Sequence, residues 1–132
     1  MRRRCAVALS VLAAAAVAGC GAEDFPNEPR PASPVELSAR IDDRKVVLAP
    51  DETGAGLAVI TISNQSSDDV ELNFLGPSDE STNEIVAGGI GTLRLDLEQG
   101  DYDVEASVSS ISSGRLTVGP DRPSAQNDVL LP

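Results

Sequence analysis

From Val35 onward, apolar residues fall at every second position. Val35, Leu37, Ala39 and Ile41 alternate with polar neighbours, as do Leu93, Leu95 and Leu97, and Tyr102, Val104, Ala106 and Val108. A period of two sends successive side chains to opposite faces of an extended chain, so each segment predicts a strand with one buried and one wet face. Leu57 to Ile62 is an apolar run interrupted only by Thr61 and predicts a central strand. Lys45 to Ala49, Val70 to Leu75, Glu84 to Val86 and Gly114 to Val118 are further strand candidates. Turn chemistry separates them at Asp42-Asp43, Pro50 to Gly56, Asn64 to Asp68, Gly76 to Asn83, Gly88 to Gly91 and Ser109 to Ser113. Seven or eight short strands with no helical period predict an all-β protein, an antiparallel Greek-key β-sandwich.

The interior of such a sandwich is aliphatic by necessity. The aromatic residues are Phe25, Phe74 and Tyr102, and only the last two fall within the alternating region. Phe74 is therefore expected in the core. In Gly100-Asp101-Tyr102 a glycine stands two residues before a tyrosine at a strand start, which resembles a tyrosine corner. That resemblance implies a buried ring whose hydroxyl bonds to backbone a few residues upstream.

The first residues have a different character. Met1-Arg2-Arg3-Arg4 is basic, and Cys5 to Ala18 is apolar but shorter than the roughly 20 residues that span a bilayer. This pattern predicts an export signal. It ends in Val17-Ala18-Gly19-Cys20, which resembles the lipobox of bacterial lipoproteins. The resemblance implies cleavage before Cys20 and a lipid on that cysteine. The expected organisation is a signal peptide over 1–19, a lipidated cysteine and proline-rich tether over 20–34, and a β-sandwich over 35–132. Prolines at 26, 29, 31 and 34 favour an extended tether, which at about 3.1 Å per residue reaches roughly 40 Å. Loss of Arg2, Arg3 and Arg4 leaves 7 basic against 21 acidic residues, a net charge of −14. Anionic headgroups repel such a chain, so the lipid is expected to anchor it to the cell membrane on the extracytoplasmic side.

Composition narrows the chemistry. There is no histidine, which removes the commonest general base and the imidazole metal ligand, and Lys45 is the sole lysine. An acidic chain with almost no aromatic platform does not suit nucleic acid. No glycine-rich phosphate loop is present, and neither an enzymatic activity nor a cofactor is expected. Asp101 and Asp103 share one strand face and form a candidate pair for a small cation such as Ca²⁺. Asp42-Asp43, Asp68-Asp69-Glu71 and Asp79-Glu80 read as solvated acidic surface. Asn64-Gln65-Ser66 matches a glycosylation sequon.

VITISNQSSDDVELNF, NEIVAGG and LRLDLEQGDYDVEASVSS, followed by GRLTV, are together similar to the cupredoxin-like domains of secreted bacterial proteins over Leu57 to Val118. An immunoglobulin-like sandwich is the alternative topology. The resemblance places Ala106 where a copper-binding member has its cysteine, Ser109 to Ser113 in the loop of the later ligands, and Glu71 or a neighbour near the earlier histidine. Blue copper needs a thiolate and imidazoles, so the resemblance implies a metal-free domain. The expected function is that of a lipid-anchored, non-catalytic module that binds an envelope protein or a small cation. An accessory role in metal or solute handling is the alternative.

Overall fold

The computed structural model describes residues 31–123. Cys20, Phe25 and the rest of the signal and tether up to residue 30 lie outside the described residues. The eight elements among the described residues are strands: β1 (Val35–Ile41), β2 (Val46–Ala49), β3 (Glu52–Asn64), β4 (Leu72–Leu75), β5 (Glu80–Ser81), β6 (Ile90–Leu97), β7 (Gly100–Ala106) and β8 (Gly114–Asp121). One layer contains β2, β1, the C-terminal arm of β3 and β6; the other contains the N-terminal arm of β3, then β8, β7, β4 and β5.

Alternation translates directly into layering. Leu37, Ala39 and Ile41 of β1, Ala58, Ile60 and Ile62 of β3, and Leu93, Leu95 and Leu97 of β6 are buried. They face Leu72 and Phe74 of β4, Tyr102 and Val104 of β7, and Leu116 and Val118 of β8 across the core. Leu57 to Ile62 is central in pairing, because β3 lies between β1 and β6, but its burial alternates and Leu57 is 39% exposed.

The pairing is mixed rather than wholly antiparallel, since β1 with β3 and β3 with β8 run parallel. The cause is a reversal within β3. β2 runs alongside β1 in the opposite sense, and the chain continues past Pro50 into Glu52–Ala55, which keep step with Thr117–Asp121 of β8. After Ala55 the chain turns over, and Gly56–Ser63 pair with Leu97–Ile90 of β6 while Ala58–Asn64 run parallel to β1. Gly56 has φ +116°, a conformation that a side chain disfavours. Arg122 staples this turn: its Nε donates to the Ala55 carbonyl at 3.2 Å, one terminal nitrogen to the Leu57 carbonyl at 2.6 Å, and the other to the Ser33 carbonyl at 2.5 Å. One guanidinium thus ties the entry of β1, the turn in β3 and the exit of β8.

Tyr102 pins the same end. Its ring is fully buried, and its hydroxyl accepts from the Glu98 N–H at 3.0 Å. The hydroxyl proton goes to Ser78 Oγ at 2.7 Å, and the Ser78 hydroxyl donates to the Asp96 carbonyl at 3.3 Å. This relay joins the β4–β5 and β6–β7 connections. Tyr102→Phe is expected to cost about 0.5–1.5 kcal/mol, the net worth of a hydrogen bond. An unchanged urea midpoint for that variant would show that the relay contributes nothing to stability.

Candidate functional site

Four connections gather at the end of the sandwich opposite Pro34: residues 42–45, 65–71, 82–89 and 107–113. Main-chain and carboxylate bonds lock them together. Asp43 accepts from the Ser67 N–H at 2.8 Å and from its hydroxyl at 2.9 Å, and Asp69 accepts from the Ala87 N–H at 2.8 Å. The Ser107 N–H donates to the Glu71 carbonyl at 2.9 Å, and the Glu71 N–H donates back to Ser107 Oγ at 3.0 Å. Asp43 and Asp69, which composition presents only as solvated acid, are therefore loop ties. No local pattern distinguishes them, because each partner lies in a different connection.

Asn64 is the centre of this end. It is fully buried, and its amide nitrogen reaches the carbonyls of Asp68 and Ile85 at 2.8 Å and of Val86 at 3.2 Å. Its oxygen accepts from the Ser66 N–H at 3.0 Å and hydroxyl at 2.7 Å. The sequon asparagine is thereby consumed as a bracket between two connections, and the folded chain offers no free amide for a glycan.

The positions that the cupredoxin resemblance assigns to copper ligands do converge here. Leu72 pairs with Ala106, Glu71 bonds to Ser107, and a notch of about 220 Å³ is lined by Ala106, Ser109, Ile111 and Ser113. Their chemistry does not fit copper. Val70 and Ile111 are buried there, Ala106 and Val108 pack against the same core, and no thiolate or imidazole is among them. The interior that such a metal would need is filled by aliphatic side chains.

Asp101 and Asp103 lie on the exposed face of β7, as their spacing requires. Asp101 accepts from the Thr117 hydroxyl at 3.0 Å, and Asp103 lies 3.6 Å from the Arg115 guanidinium. Among the described residues no three acidic, Cys or His side chains converge on a common point. The surface pair of Arg115 and Asp103 contributes little to stability. Phe74 is fully buried on β4, between Val104 of β7 and Glu80 of β5 in register.

Among the described residues, hydrogen bonds hold two carboxyls below the ordinary aspartate value of 3.8. The Arg44 and Lys45 N–H groups hold Asp42 down, and the Ser67 N–H and hydroxyl hold Asp43 down. A lowered folded-state pKa means that the folded chain takes up the proton later than the unfolded chain. The stabilisation is thus complete above 3.8 and disappears as pH falls through the lowered values. The Ser67 amide resonance is expected to titrate with a midpoint under 3.8. A midpoint at or above that value would show that Asp43 does not hold the two connections together.

No protein-family model matches the chain, and no curated protein matches it by sequence. Among solved structures, the chain is similar to a multicopper oxidase at TM-score 0.49 and 14% identity, over 78% of this chain and 48% of that one. It is also similar to Lac15 from a marine microbial metagenome at TM-score 0.43 and 14% identity, over 72% of this chain and 34% of that one. The chain spans less than half the length of either protein.

Proposed function

We propose that this chain is a lipid-anchored, extracytoplasmic and non-catalytic β-sandwich that acts by contact with a protein of the cell envelope. Its attachment rests on Cys20 at the end of Val17-Ala18-Gly19-Cys20. The observation that carries the contact role is the separation of the two ends. The chain enters β1 at Val35, where Arg122 and Tyr102 tie the connections down, while the four other connections gather at the far end. A tethered domain so arranged presents that far end to a partner. The absence of any histidine and the aliphatic filling near Ala106 favour contact over metal or acid–base chemistry.

A photo-reactive side chain tests the reading. Placed at exposed Ser110 or Asn83, it is expected to yield a discrete cross-linked protein in membranes, whereas the same group at exposed Gln99 is expected to yield none. Equal labelling from both ends would remove the assignment of the contact surface.

A further inference from the structure

The far end also holds an unfinished sheet edge. Among the described residues β6 pairs with β3 alone. The Asn64 N–H donates to the Gly89 carbonyl at 2.9 Å, and the register then makes Ile62 with Gly91, Ile60 with Leu93 and Ala58 with Leu95 the hydrogen-bonded pairs. In an antiparallel ladder the intervening residues turn their main-chain groups outward. The N–H and C=O groups of Ile90, Thr92, Arg94 and Asp96 consequently face away from β3.

Protection of this edge is uneven. Near the entry end, charged Arg94 and Asp96 guard it, and Ser78 occupies the Asp96 carbonyl. Charged edge residues discourage strand pairing. Toward the far end the sequence is Ile90-Gly91-Thr92, with no charge, and Ile90 is 74% exposed. Other edges are shorter: β2 has four residues, and its Val46 N–H donates to the Ser112 carbonyl at 2.9 Å, while β5 has only two residues.

A groove of about 290 Å³ runs beside the unguarded half, between Ile90–Thr92 and the segment Thr82–Val86. Buried Ile85 supplies its floor and packs so closely on β6 that a Cβ at Gly91 would lie 2.6 Å from Ile85 Cδ1. Val86, 58% exposed, stands at its mouth. Glu84 lies on the rim of a chain whose net charge is −11 in full and −14 without residues 1–19. A second copy of the chain would bring like charge against like, whereas a cationic segment is attracted.

We propose that the Ile90–Thr92 edge is a strand-addition site for an extended, net-basic polypeptide segment with apolar residues at alternate positions. Main-chain bonds to Ile90 and Thr92 supply affinity, and the groove over Ile85 receives every second side chain. This assignment rests on reading the domain as a contact module.

The probe is a fluorescent peptide of about nine residues, long enough to cover the edge, that alternates valine with lysine and threonine. The full chain is expected to bind it, with slowed hydrogen exchange at the Ile90 and Thr92 amides. A peptide of the same sequence with alternate amides N-methylated keeps its charge but loses its donors, and is expected to bind at least about tenfold more weakly. Thr92→Pro removes an outward N–H without breaking a bond to β3, and is also expected to weaken binding about tenfold. Ile90→Lys changes an exposed side chain, should leave the melting temperature unaltered, and should weaken binding as well.

No binding, equal binding of the methylated peptide, or protection on the acidic face around Asp101 and Asp103 would overturn the proposal. Self-association of the chain through β6 would do the same. Loss of peptide binding alongside retained cross-links from Ser110 would remove this site and leave the contact reading standing; loss of both would remove both.

Discussion

Phe74→Ala is expected to lower the unfolding free energy by about 3–5 kcal/mol, read from urea denaturation. The phenyl ring is fully buried and is the only one among the described residues. The core it belongs to is aliphatic apart from Tyr102, with Val104 beside it on β7. Strands fixed by ladders cannot close over the lost ring, so the cavity persists and its cost adds to the lost transfer energy. Small domains typically have about 5–15 kcal/mol in total, and the variant is expected to melt well below the parent. A loss under about 1.5 kcal/mol would mean that the core around β4 collapses freely, in conflict with its ladders to both β5 and β7.

Asn64→Ala is expected to cost about 1–3 kcal/mol, because a buried polar group left without a partner costs roughly that much. The substitution leaves the Ser66 N–H without its acceptor, whereas the Ile85 carbonyl keeps the Val70 N–H and the Asp68 carbonyl keeps the Ser66 hydroxyl. Its effect should also be local: hydrogen exchange at Ala87, Gly89 and Ser67 should quicken before that of β7. A cost under about 0.5 kcal/mol would show that water replaces the bracket without loss. Because the cross-linking surface contains these connections, Asn64→Ala should also weaken labelling from Ser110 more than Tyr102→Phe does.

Much of this architecture is legible along the chain. Val35 to Ile41, Leu93 to Leu97 and Tyr102 to Val104 alternate cleanly, and their apolar members form the inner faces of both layers. The Gly-x-Tyr spacing likewise marks the residue whose hydroxyl meets the Glu98 N–H. Pro50 to Gly56 reads as turn, yet β3 begins at Glu52. Thr53, Gly54 and Gly56 offer no apolar period, and the strand there exists because β8 supplies its partners and Arg122 its staple. Arg122 itself carries no signal, since its acceptors at Ser33, Ala55 and Leu57 are remote in sequence. Gly76 to Asn83 reads as one turn, but it contains β5 and supplies Ser78 to the tyrosine relay. Glu84 to Val86 reads as a strand and makes a single bridge, Ile85 with Val70. Parallel pairing is invisible to periodicity, because alternation is the same in either direction and only the reversal at Gly56 sets the sense.

The candidate surface is less legible than the fold for the same reason. Asp43, Asp69 and Asn64 are ordinary polar residues until topology brings together connections that lie far apart in sequence. The exposed half of β6 is likewise an ordinary strand in sequence. Only the strand order shows that no described residue is paired beyond it.

The proposed anchor is Cys20, as first residue of the mature chain and carrier of the lipid. Intact-mass and N-terminal fragment analysis of the chain extracted from bacterial membranes tests it most directly. The account predicts loss of residues 1–19, acyl chains on Cys20, and release of Cys20→Ala from the membrane fraction with its β-sandwich folded. An unmodified Cys20, or cleavage elsewhere with the domain still attached to the membrane, would contradict it.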